Sequence, residues 1–450
     1  MKNMMKYFSL AVLALTVTVL AGCQKDETLT GDGVHFTATV KMAGGGTKAL
    51  AANGHKTFAV GDQIAVVYKN TSGATVKAVS AALTPSDIKN NGKAANFSVE
   101  LTDPDRSLNV TYIYPASMAK DDGSVNYDAL ATQNGTRATL SSSLDLCTYS
   151  GSWSGGSLPT NVTMTNQLAI CKFAVLNSSE TVINNTITNL IISDGTHTYT
   201  VNRSASIDSI WVAMHPVTSG NIAIIASDGT NFYEKSFSGK TLTAGHIHPI
   251  AMKMDAGHPY VDLGLPSGRL WATCNVGATN PQDYGNYFAW GETTPKANYA
   301  WTTYAFDNST NHDGSSFSKY TGSDYSVLQP ADDAATQNWG SNWRMATSAE
   351  WAELVSNTDK EWTTIGGVQG GKFMKKTDHS VYIFLPAGGL LNETGGTWGH
   401  GSNGRYWSSS LKTDEPARAF MTSCDNNEDR PYDASYRHFG RSVRAVLSWN

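Results

Sequence analysis

The stretch NWRMATSAEW, residues 342–351, decides the local fold of the C-terminal part of the chain. Thr347 and Glu350 have the T-x-x-E spacing of a capping box, in which each side chain binds an otherwise unpaired backbone N–H at the start of a helix. Apolar residues follow at the i, i+3 and i+4 spacing of a buried helix face: Trp351, Leu354 and Val355. The pattern therefore predicts a loop that enters a short helix, with Trp343 and Trp351 in the core.

The sequence on both sides of this stretch contains further short motifs. They are DLGLPSG with LWAT and NVGA (262–278), DYGNYFAWGET (283–293), DDAA (332–335), IFLPAGG (383–389), RYWSSS (405–410) and FGRSVRAV (439–446). Together they resemble the FISUMP-type major paralogous domain of Bacteroidota and Fibrobacter surface proteins. Residues 342–351 also resemble the W-R-L-P-T-E-A-E-W signature of the formylglycine-generating, sulfatase-modifying enzymes. These resemblances imply an α+β C-type-lectin-like, sulfatase-modifying-factor-like domain over residues 258–450.

The cysteines argue against the oxidase chemistry of those enzymes, which use a cysteine pair through copper near the end of the domain. After residue 258 this chain has only Cys274 and Cys424, and the C-terminal motif of the enzymes is absent. A structural disulfide or two unpaired thiols is therefore the expectation, rather than a redox pair. The sequence also lacks G-x-S-x-G, H-E-x-x-H, Walker and dinucleotide-binding motifs. We expect no catalytic residues, no cofactor and no enzyme activity.

The calcium motifs of sugar-binding C-type lectins are also missing from the sequence. Gln329-Pro330 is followed by alanine, so the acidic or amide ligand position is lost. Asp332 and Asp333 leave two alternatives: a cation site, since oxygen ligands suit Ca²⁺, or a helix N-terminus or solvated loop. Ten of the twelve tryptophans lie after residue 258, which marks a domain boundary near Gly257 and leaves sugar stacking or core packing open for them.

Residues 30–255 have the pattern of an antiparallel β-sandwich. Ile64, Val66 and Tyr68 alternate along one predicted strand, and further apolar runs lie at 108–117, 168–176 and 221–229. Two Asp-Gly pairs, at 194–195 and 228–229, predict hairpins with type I′ turns. The Gly/Ser/Trp-rich stretch 150–160 is the predicted division between two sandwiches.

Several motifs in residues 30–255, taken in this order, resemble those of the fimbrillin family, the subunits and accessory proteins of type V pili. They are VHFTATV, GDQIAVV, YIYPAS, NQLAICKFAV, WVAMHPV and LTAGHIHPIAMKM. The resemblance implies two transthyretin-like β-sandwich subdomains, over 33–149 and 150–256, and partners that are other pilus subunits joined by donor-strand exchange. Its processing site follows a basic residue after the first strand, which makes Lys48 the candidate here, where pilins more often carry Arg.

His246 and His248, in GHIHP, share a predicted strand face and form a possible metal pair. No third ligand follows the pattern, so satisfied or solvent-facing histidines are the expectation. None of the five cysteines falls in a C-x-x-C or Cys/His spacing, and no zinc site is predicted from them.

The first residues resemble a bacterial lipoprotein signal. Lys2 and Lys6 precede an apolar run from Phe8 to about Leu20 that is short for a membrane span and reads as a signal peptide over 1–22. Leu-Ala-Gly-Cys at 20–23 resembles a lipobox, which makes Cys23 the predicted site of lipidation at the start of a tether, 23–32. Lipidation predicts a membrane-anchored chain. The next charged residues resemble a Bacteroidota surface-export signal: Lys25, Asp26 and Glu27.

Composition agrees with an exported, loop-rich, mainly β protein of several domains: 450 residues, 41 glycines and only 16% charged residues. A net charge of −5 without a basic cluster argues against nucleic acid as a partner. We predict an outer-membrane surface lipoprotein that is an accessory or tip adhesin of a type V pilus and binds a glycan or protein through its C-terminal domain. The alternatives are a surface binding lipoprotein that does not polymerise and a degenerate formylglycine-type oxidase.

Overall fold

The computed structural model describes residues 28–30, 33–42, 57–153, 156–204 and 209–449. The protein is mainly β, as predicted, and its described residues form two compact units. The first unit comprises the described parts of Met1–Ala43, Thr57–Val125 and Cys147–Thr165; the second comprises those of Asn126–Leu146 and Asn166–Asn450. The chain therefore leaves the first unit after residue 125 and returns to it at residue 147.

The strands up to residue 166 are β1 (Thr28–Thr30), β2 (Gly33–Met42), β3 (Ala65–Lys69), β4 (Thr75–Val79), β5 (Ile88–Lys89), β6 (Ala94–Thr102), β7 (Asn109–Tyr114), β8 (Thr132–Gln133), β9 (Cys147–Ser152) and β10 (Val162–Asn166). Those that follow, up to residue 256, are β11 (Ala169–Leu176), β12 (Asn189–Ser193), β13 (Thr198–Asn202), β14 (Ile210–Met214), β15 (Val217–Ser227), β16 (Phe232–Leu242), β17 (Ile247–Lys253) and β18 (Asp255–Ala256).

The C-terminal strands are β19 (Tyr260–Asp262), β20 (Leu270–Asn275), β21 (Tyr287–Phe288), β22 (Trp343–Met345), β23 (Thr358–Ile365), β24 (Val368–Lys375), β25 (Asp378–Pro386), β26 (Leu390–Leu391), β27 (Thr397–Trp398), β28 (Gly404–Leu411), β29 (Arg418–Cys424), β30 (Asp429–Tyr436), β31 (Arg441–Ser442) and β32 (Arg444–Leu447). The helices are α1 (Arg137–Thr139), α2 (Ala334–Trp339) and α3 (Ser348–Asn357). Single 3₁₀ turns lie at Asn90–Gly92, Ala116–Met118, Tyr127–Leu130, Trp301–Thr303 and Pro330–Asp332, and a π turn lies at Leu140–Leu144.

The first unit is built on one nine-stranded sheet in the order β4-β3-β7-β9-β10-β2-β6-β5, with β1 paired to β2. Alternate side chains of β2, β3, β6 and β7 enter one core, because successive residues of a strand point to opposite faces. The predicted alternation of Ile64, Val66 and Tyr68 is confirmed, since all three are buried. The strand predicted over 108–117 ends at Tyr114, before the proline that cannot donate to a ladder.

Strand β2 lies in the interior of this sheet. It pairs antiparallel with β6 from Gly33 opposite Thr102 to Lys41 opposite Ala94, and parallel with β10 from Val40 to Met42. Its side chains at alternate positions are buried: Val34, Phe36, Ala38 and Val40. This N-terminal strand therefore contributes both ladder hydrogen bonds and core side chains to the first unit.

The second unit begins as a sandwich of two sheets, β14-β11-β17 and β18-β16-β15-β12-β13-β8. Both Asp-Gly hairpins are confirmed, joining β12 to β13 and β15 to β16. The predicted type I′ geometry is wrong, because a type I′ turn needs φ > 0 at two central residues and only Gly195 and Gly229 have it. In both turns the aspartate side chain accepts backbone N–H groups, which favours a different four-residue loop.

The C-terminal part of the second unit contains four sheets: β19-β20-β32-β22, β21-β31-β28-β29-β30, β23-β24-β25 and β26-β27. The predicted capping box is confirmed, with Thr347 and Glu350 each binding the other's backbone N–H at the start of α3. Trp351 and Leu354 are buried in a core with Trp271 and Phe373. The stretch that opened the sequence analysis is therefore a helix entry and a core anchor.

The second sandwich and the C-terminal part share a hydrophobic core. Ile191 of β12 and Ile225 of β15 belong to the same buried cluster as Leu270 and Trp343. The indole N–H of Trp343 donates to Glu234 of β16 at 3.1 Å. One hydrophobic core therefore contains residues from both sides of the compositional boundary near residue 257.

Candidate ligand-binding pocket

A pocket of about 430 Å³ opens on the C-terminal part of the chain, between the β26–β27 hairpin, the start of β28 and the turn from β30 to β31. Its volume is within the range typical of small-molecule sites, and both apolar and polar side chains line it. The lining residues are Leu390, Asn392, Glu393, Thr394, Trp398, Arg405, Ser435, Phe439 and Arg441.

The β26–β27 hairpin holds an aromatic ring at the rim of the pocket. Trp398 is 66% exposed, the largest exposed fraction among the big apolar side chains of the described residues. Gly389 precedes the hairpin with φ of 62°, and a Cβ atom there would lie 2.2 Å from the carbonyl oxygen of Trp398. The side chain of Asn392 closes the turn by accepting the backbone N–H of Gly396 at 2.9 Å. The local sequence thus requires glycine and asparagine to place Trp398 there.

Arg441 lines the pocket from the protein interior. Only 1% of it is exposed, and its guanidinium carbon lies 4.8 Å from the centroid of the Trp407 ring. Its Nη2 donates to Ser435 Oγ, while Nε and Nη1 have no hydrogen-bond partner among the described residues. Burial, followed by the charge of Arg405, lowers the pKa of Arg441 to about 9, so it stays protonated at neutral pH. A buried cation with free donors favours an anionic acceptor.

Of the two buried arginines close to Arg441 in the sequence, one is fully hydrogen-bonded and the other is not. Arg444 donates to Asn275 Oδ1, to the carbonyl oxygens of residues 272 and 273, and to that of residue 384, at 2.8–3.1 Å. Arg437 also has unpaired nitrogens, but its guanidinium carbon stacks 3.7 Å from the Phe317 ring centroid. Arg444 is thus a structural cross-link, whereas Arg441 combines unpaired N–H groups with a position on a pocket wall.

The charges at the rim are mixed. Arg405 is half-buried, and burial lowers its pKa while the charge of Asp433 opposes that shift. Glu393 Oε1 lies 3.5 Å from His438 Nε2. Burial, and then the charges of Lys296 and Arg441, lower the pKa of His438 to about 4, so the imidazole is neutral at pH 7 and this contact is not an ion pair. The pocket therefore offers guanidinium donors beside an exposed indole, an arrangement suited to an acidic, ring-containing ligand.

The structure decides between the alternatives for the two adjacent aspartates. Asp333 is the N-cap of α2, accepting the Thr336 N–H at 2.9 Å, and it also accepts the Met345 N–H at 2.9 Å. Asp332 binds Lys319 and the hydroxyl of Tyr320. Both carboxylates are thus used by helix capping and packing, which confirms the helix N-terminus.

The remaining predicted residues lie apart from the pocket. Cys274 and Cys424 are both buried and unpaired, and burial raises the pKa of Cys424 to about 12, which disfavours a reactive thiolate. His248 Nε2 accepts the Thr243 N–H at 2.9 Å, and the His246 and His248 ring centroids are 6.4 Å apart. The two other cysteines in the described ranges, at 147 and 171, are likewise buried.

The predicted lipidation site Cys23, the predicted export residues Lys25, Asp26 and Glu27, and the candidate processing site Lys48 all lie outside the described residues. Within the described part of the chain, no helix is long and apolar enough to cross a membrane.

Sequence reasoning missed the pocket, because its residues come from three separated stretches: 390–398, 405 and 435–441. Arg441 lies in the motif FGRSVRAV, to which the sequence alone assigns no binding role. The one usable signal was the Gly-rich segment LLNETGGTWGHG, where a tryptophan stands among turn-forming residues rather than in an apolar run.

Comparison with known proteins gives weak structural similarities only. No protein-family model and no curated protein sequence matches this chain. A fimbrial assembly protein from Parabacteroides distasonis is 11% identical, with a TM-score of 0.30, over 48% of this chain and 90% of that one. A fimbrial protein from Bacteroides ovatus is 11% identical, with a TM-score of 0.23, over 91% of this chain and 99% of that one. A streptococcal ancillary pilin is 7% identical, with a TM-score of 0.18, over 50% of this chain and 70% of that one. Similarities at this level do not carry an argument about function.

Proposed function

We propose that this chain is a cell-surface adhesin that binds an acidic glycan in the pocket below Trp398. The observation that carries the proposal is the buried Arg441 guanidinium, which lines the pocket with two nitrogens unpaired among the described residues. A sugar carboxylate supplies the acceptor that this cation lacks, and charge-assisted hydrogen bonds of this kind are about twice as strong as neutral ones. Trp398 supplies a flat apolar surface for the sugar ring, as exposed tryptophans do at binding hot spots.

The proposal assigns binding and no catalytic step to this site. The pocket lining has one tryptophan and two arginines that can orient a ligand, and it contains neither cysteine nor histidine. An oxidase of the formylglycine-generating kind would need a reactive thiol, whereas Cys424 is fully buried with a raised pKa.

The test is calorimetric titration of the mature chain with 3′-sialyllactose, a hyaluronan tetrasaccharide and neutral lactose. We expect an acidic sugar to bind at least about tenfold more tightly than lactose, because loss of one charge-assisted contact is typically worth about 1.5–3 kcal/mol. Trp398→Ala should weaken binding of the acidic sugar about 30-fold relative to the parent chain, which is the size of a hot-spot contact.

Tyr432→Ala is the matched control, since Tyr432 is 58% exposed and does not line the pocket. Equal affinity for acidic and neutral sugars would contradict the role of Arg441. Equal losses in Trp398→Ala and Tyr432→Ala would contradict the location of the site.

We further propose that the precursor is lipid-anchored through Cys23 and exported with the help of Lys25, Asp26 and Glu27. Cleavage at Lys48 then releases the chain from this anchor, and it assembles with other pilus subunits by donor-strand exchange. The position of β2 supports this assembly. Cleavage at Lys48 would separate β2 from the rest of the chain, leaving the ladders of β6 and β10 unpaired and the sites of Phe36 and its buried neighbours empty. A strand from a partner with the same alternation would satisfy both.

Donor-strand exchange is testable on the first unit. A chain cleaved at Lys48 should bind a synthetic peptide of residues 33–42, and a peptide with Phe36 replaced by Asp should not bind, because it would bury a charge in the core. A cleaved chain that releases β2 yet binds neither this peptide nor any pilus subunit would favour the non-polymerising surface protein.

A further inference from the structure

We propose that Asp194, His197 and His215 form a binding site for a divalent transition-metal ion of the Zn²⁺ class on the second sandwich. One side-chain donor atom from each residue lies within 4.8 Å of the other two. Two imidazole nitrogens and one carboxylate oxygen are a donor set that Zn²⁺ uses together with a water molecule in the fourth position. No other group of three such side chains is this close among the residues that the structure describes.

Two segments of the chain bring these ligands together. Asp194 and His197 belong to the turn between β12 and β13, while His215 directly follows β14. Asp194 uses Oδ1 to hold the turn, accepting the backbone N–H groups of Thr196 at 2.9 Å and His197 at 2.7 Å. Its Oδ2 faces His197 Nδ1 at 3.2 Å and the Tyr199 hydroxyl at 2.8 Å. The same hydroxyl lies 2.9 Å from His215 Nδ1.

The second hairpin shows which of these residues the turn itself requires. Its sequence, Asp-Gly-Thr-Asn-Phe-Tyr at 228–233, matches Asp-Gly-Thr-His-Thr-Tyr at 194–199 except at two positions. Asp228 caps that turn in the same way, accepting the N–H groups of residues 230 and 231 at 2.9 and 2.6 Å. Asn231 takes the place of His197, so an asparagine satisfies the turn. The imidazole of His197 and its partner His215 are therefore additions that turn geometry does not explain.

The electrostatics favour a cation. Asp194 is 8% exposed and, although burial opposes ionisation, hydrogen bonds from His197 and Tyr199 keep its pKa below the usual value. The His197 and His215 rings are stacked with centroids 3.8 Å apart, where two positive charges would repel each other. Burial and then the neighbouring His197 lower the pKa of His215, which favours its uncharged form.

The geometry fits an ion after one side chain moves. A tetrahedral Zn²⁺ with bonds of about 2.0–2.1 Å holds its ligands roughly 3.3 Å apart, close to the separation between Asp194 Oδ2 and His197 Nδ1. Two parallel rings cannot both direct in-plane lone pairs at one ion, so one ring must rotate. The His197 side chain is 42% exposed, whereas His215 is only partly exposed, which makes His197 the ring that is free to turn.

The test is titration of the metal-free full chain, without an affinity tag, with ZnCl₂. Cys23→Ser is present in every variant, so that this thiol contributes no ligand. We expect one Zn²⁺ per chain, with binding weakened at least about tenfold in His197→Asn, which copies the second hairpin and preserves the turn. His215→Gln should weaken binding similarly. His246→Asn is the matched control and should change nothing, because the His246–His248 pair has no carboxylate in the group.

Thermal unfolding of the metal-free variants checks that His197→Asn folds like the parent chain. Adding Zn²⁺ should raise the unfolding temperature of the parent and of His246→Asn, but not that of His197→Asn, because only a ligand that binds the folded state stabilises it. Absence of stoichiometric Zn²⁺ binding to the parent chain would overturn the proposal. Unchanged affinity in His197→Asn, or an equal loss in His246→Asn, would do so as well.

Discussion

Replacing Trp351 by alanine measures how strongly the helix entry anchors the C-terminal core. The side chain is fully buried, and its ring lies 4.7 Å from that of Trp271 and 5.7 Å from that of Tyr406, centroid to centroid. Deleting a buried aromatic side chain costs about 3–5 kcal/mol of unfolding free energy. Because two aromatic pairs are lost, each worth about 0.5–1.5 kcal/mol beyond burial, we expect the upper part of that range.

Thr347→Ala is the matched variant on the same helix. It removes the N-cap hydroxyl, which accepts the Glu350 N–H at 3.2 Å, and leaves the core intact. A lost N-cap costs about 0.5–2 kcal/mol, so its effect should be less than half that of Trp351→Ala. Trp351→Phe should cost less than Trp351→Ala, because the indole N–H has no hydrogen-bond partner among the described residues and its removal loses no bond.

Urea unfolding of the full chain, followed by tryptophan emission, gives the comparison. Ten of the twelve tryptophans lie after residue 258, so emission reports mainly on the C-terminal part. Because the described residues form two compact units, the transition that carries most of the emission change is the one to fit. If Trp351→Ala left this transition unchanged but abolished sugar binding, the ring would belong to a ligand site and the core assignment would be wrong.

Three further predictions follow from other features. Burial raises the pKa of Glu350, but Arg344 and the helix cap lower it by more, so the net pKa is depressed. The carboxylate therefore contributes fully to the free energy of unfolding above the unfolded pKa of about 4.3, and this contribution is lost as the pH falls through the folded pKa. Glu350→Gln should therefore cost about 1.5–3 kcal/mol at pH 7, with the difference from the parent shrinking below pH 4 in urea titrations; a difference independent of pH would contradict this. Gly389→Ala should abolish binding of acidic sugars by displacing Trp398 with little loss of global stability, and unchanged binding would show that the hairpin tolerates a side chain there. Cys23→Ala should leave the precursor unlipidated and release the chain from the membrane fraction, and a normally processed, membrane-bound variant would refute the lipoprotein assignment.

Local patterns predicted local structure well. The T-x-x-E spacing defined α3 because a capping box is complete within four residues, and the alternation at Ile64, Val66 and Tyr68 defined a strand face because side-chain direction there has a period of two. Turn type was not predictable, since an aspartate that caps its own turn competes with the backbone geometry that Asp-Gly favours.

Features that depend on long-range packing were beyond the sequence. Arg441 and Trp398 are 43 positions apart along the chain, and only the packing of β26–β27 against the residues before β31 brings them to one pocket. Residues 126–146 join the second unit although residues 147–165, which follow them, belong to the first. The tryptophan content indicates a change near residue 257, but it does not predict that Ile191 and Ile225 pack with Leu270.

The core shared by the second sandwich and the C-terminal part bears on how such a chain can be recombined. A gene cut at residue 257 would follow the change in composition, yet it would divide one buried cluster between two products and remove Glu234, the acceptor for the Trp343 indole. Grafting the C-terminal part onto another protein therefore requires that the recipient strands present aliphatic residues where Ile191 and Ile225 stand, and a carboxylate at the position of Glu234. Recombination is most readily tolerated when the C-terminal part is inherited together with the sandwich that shares its core.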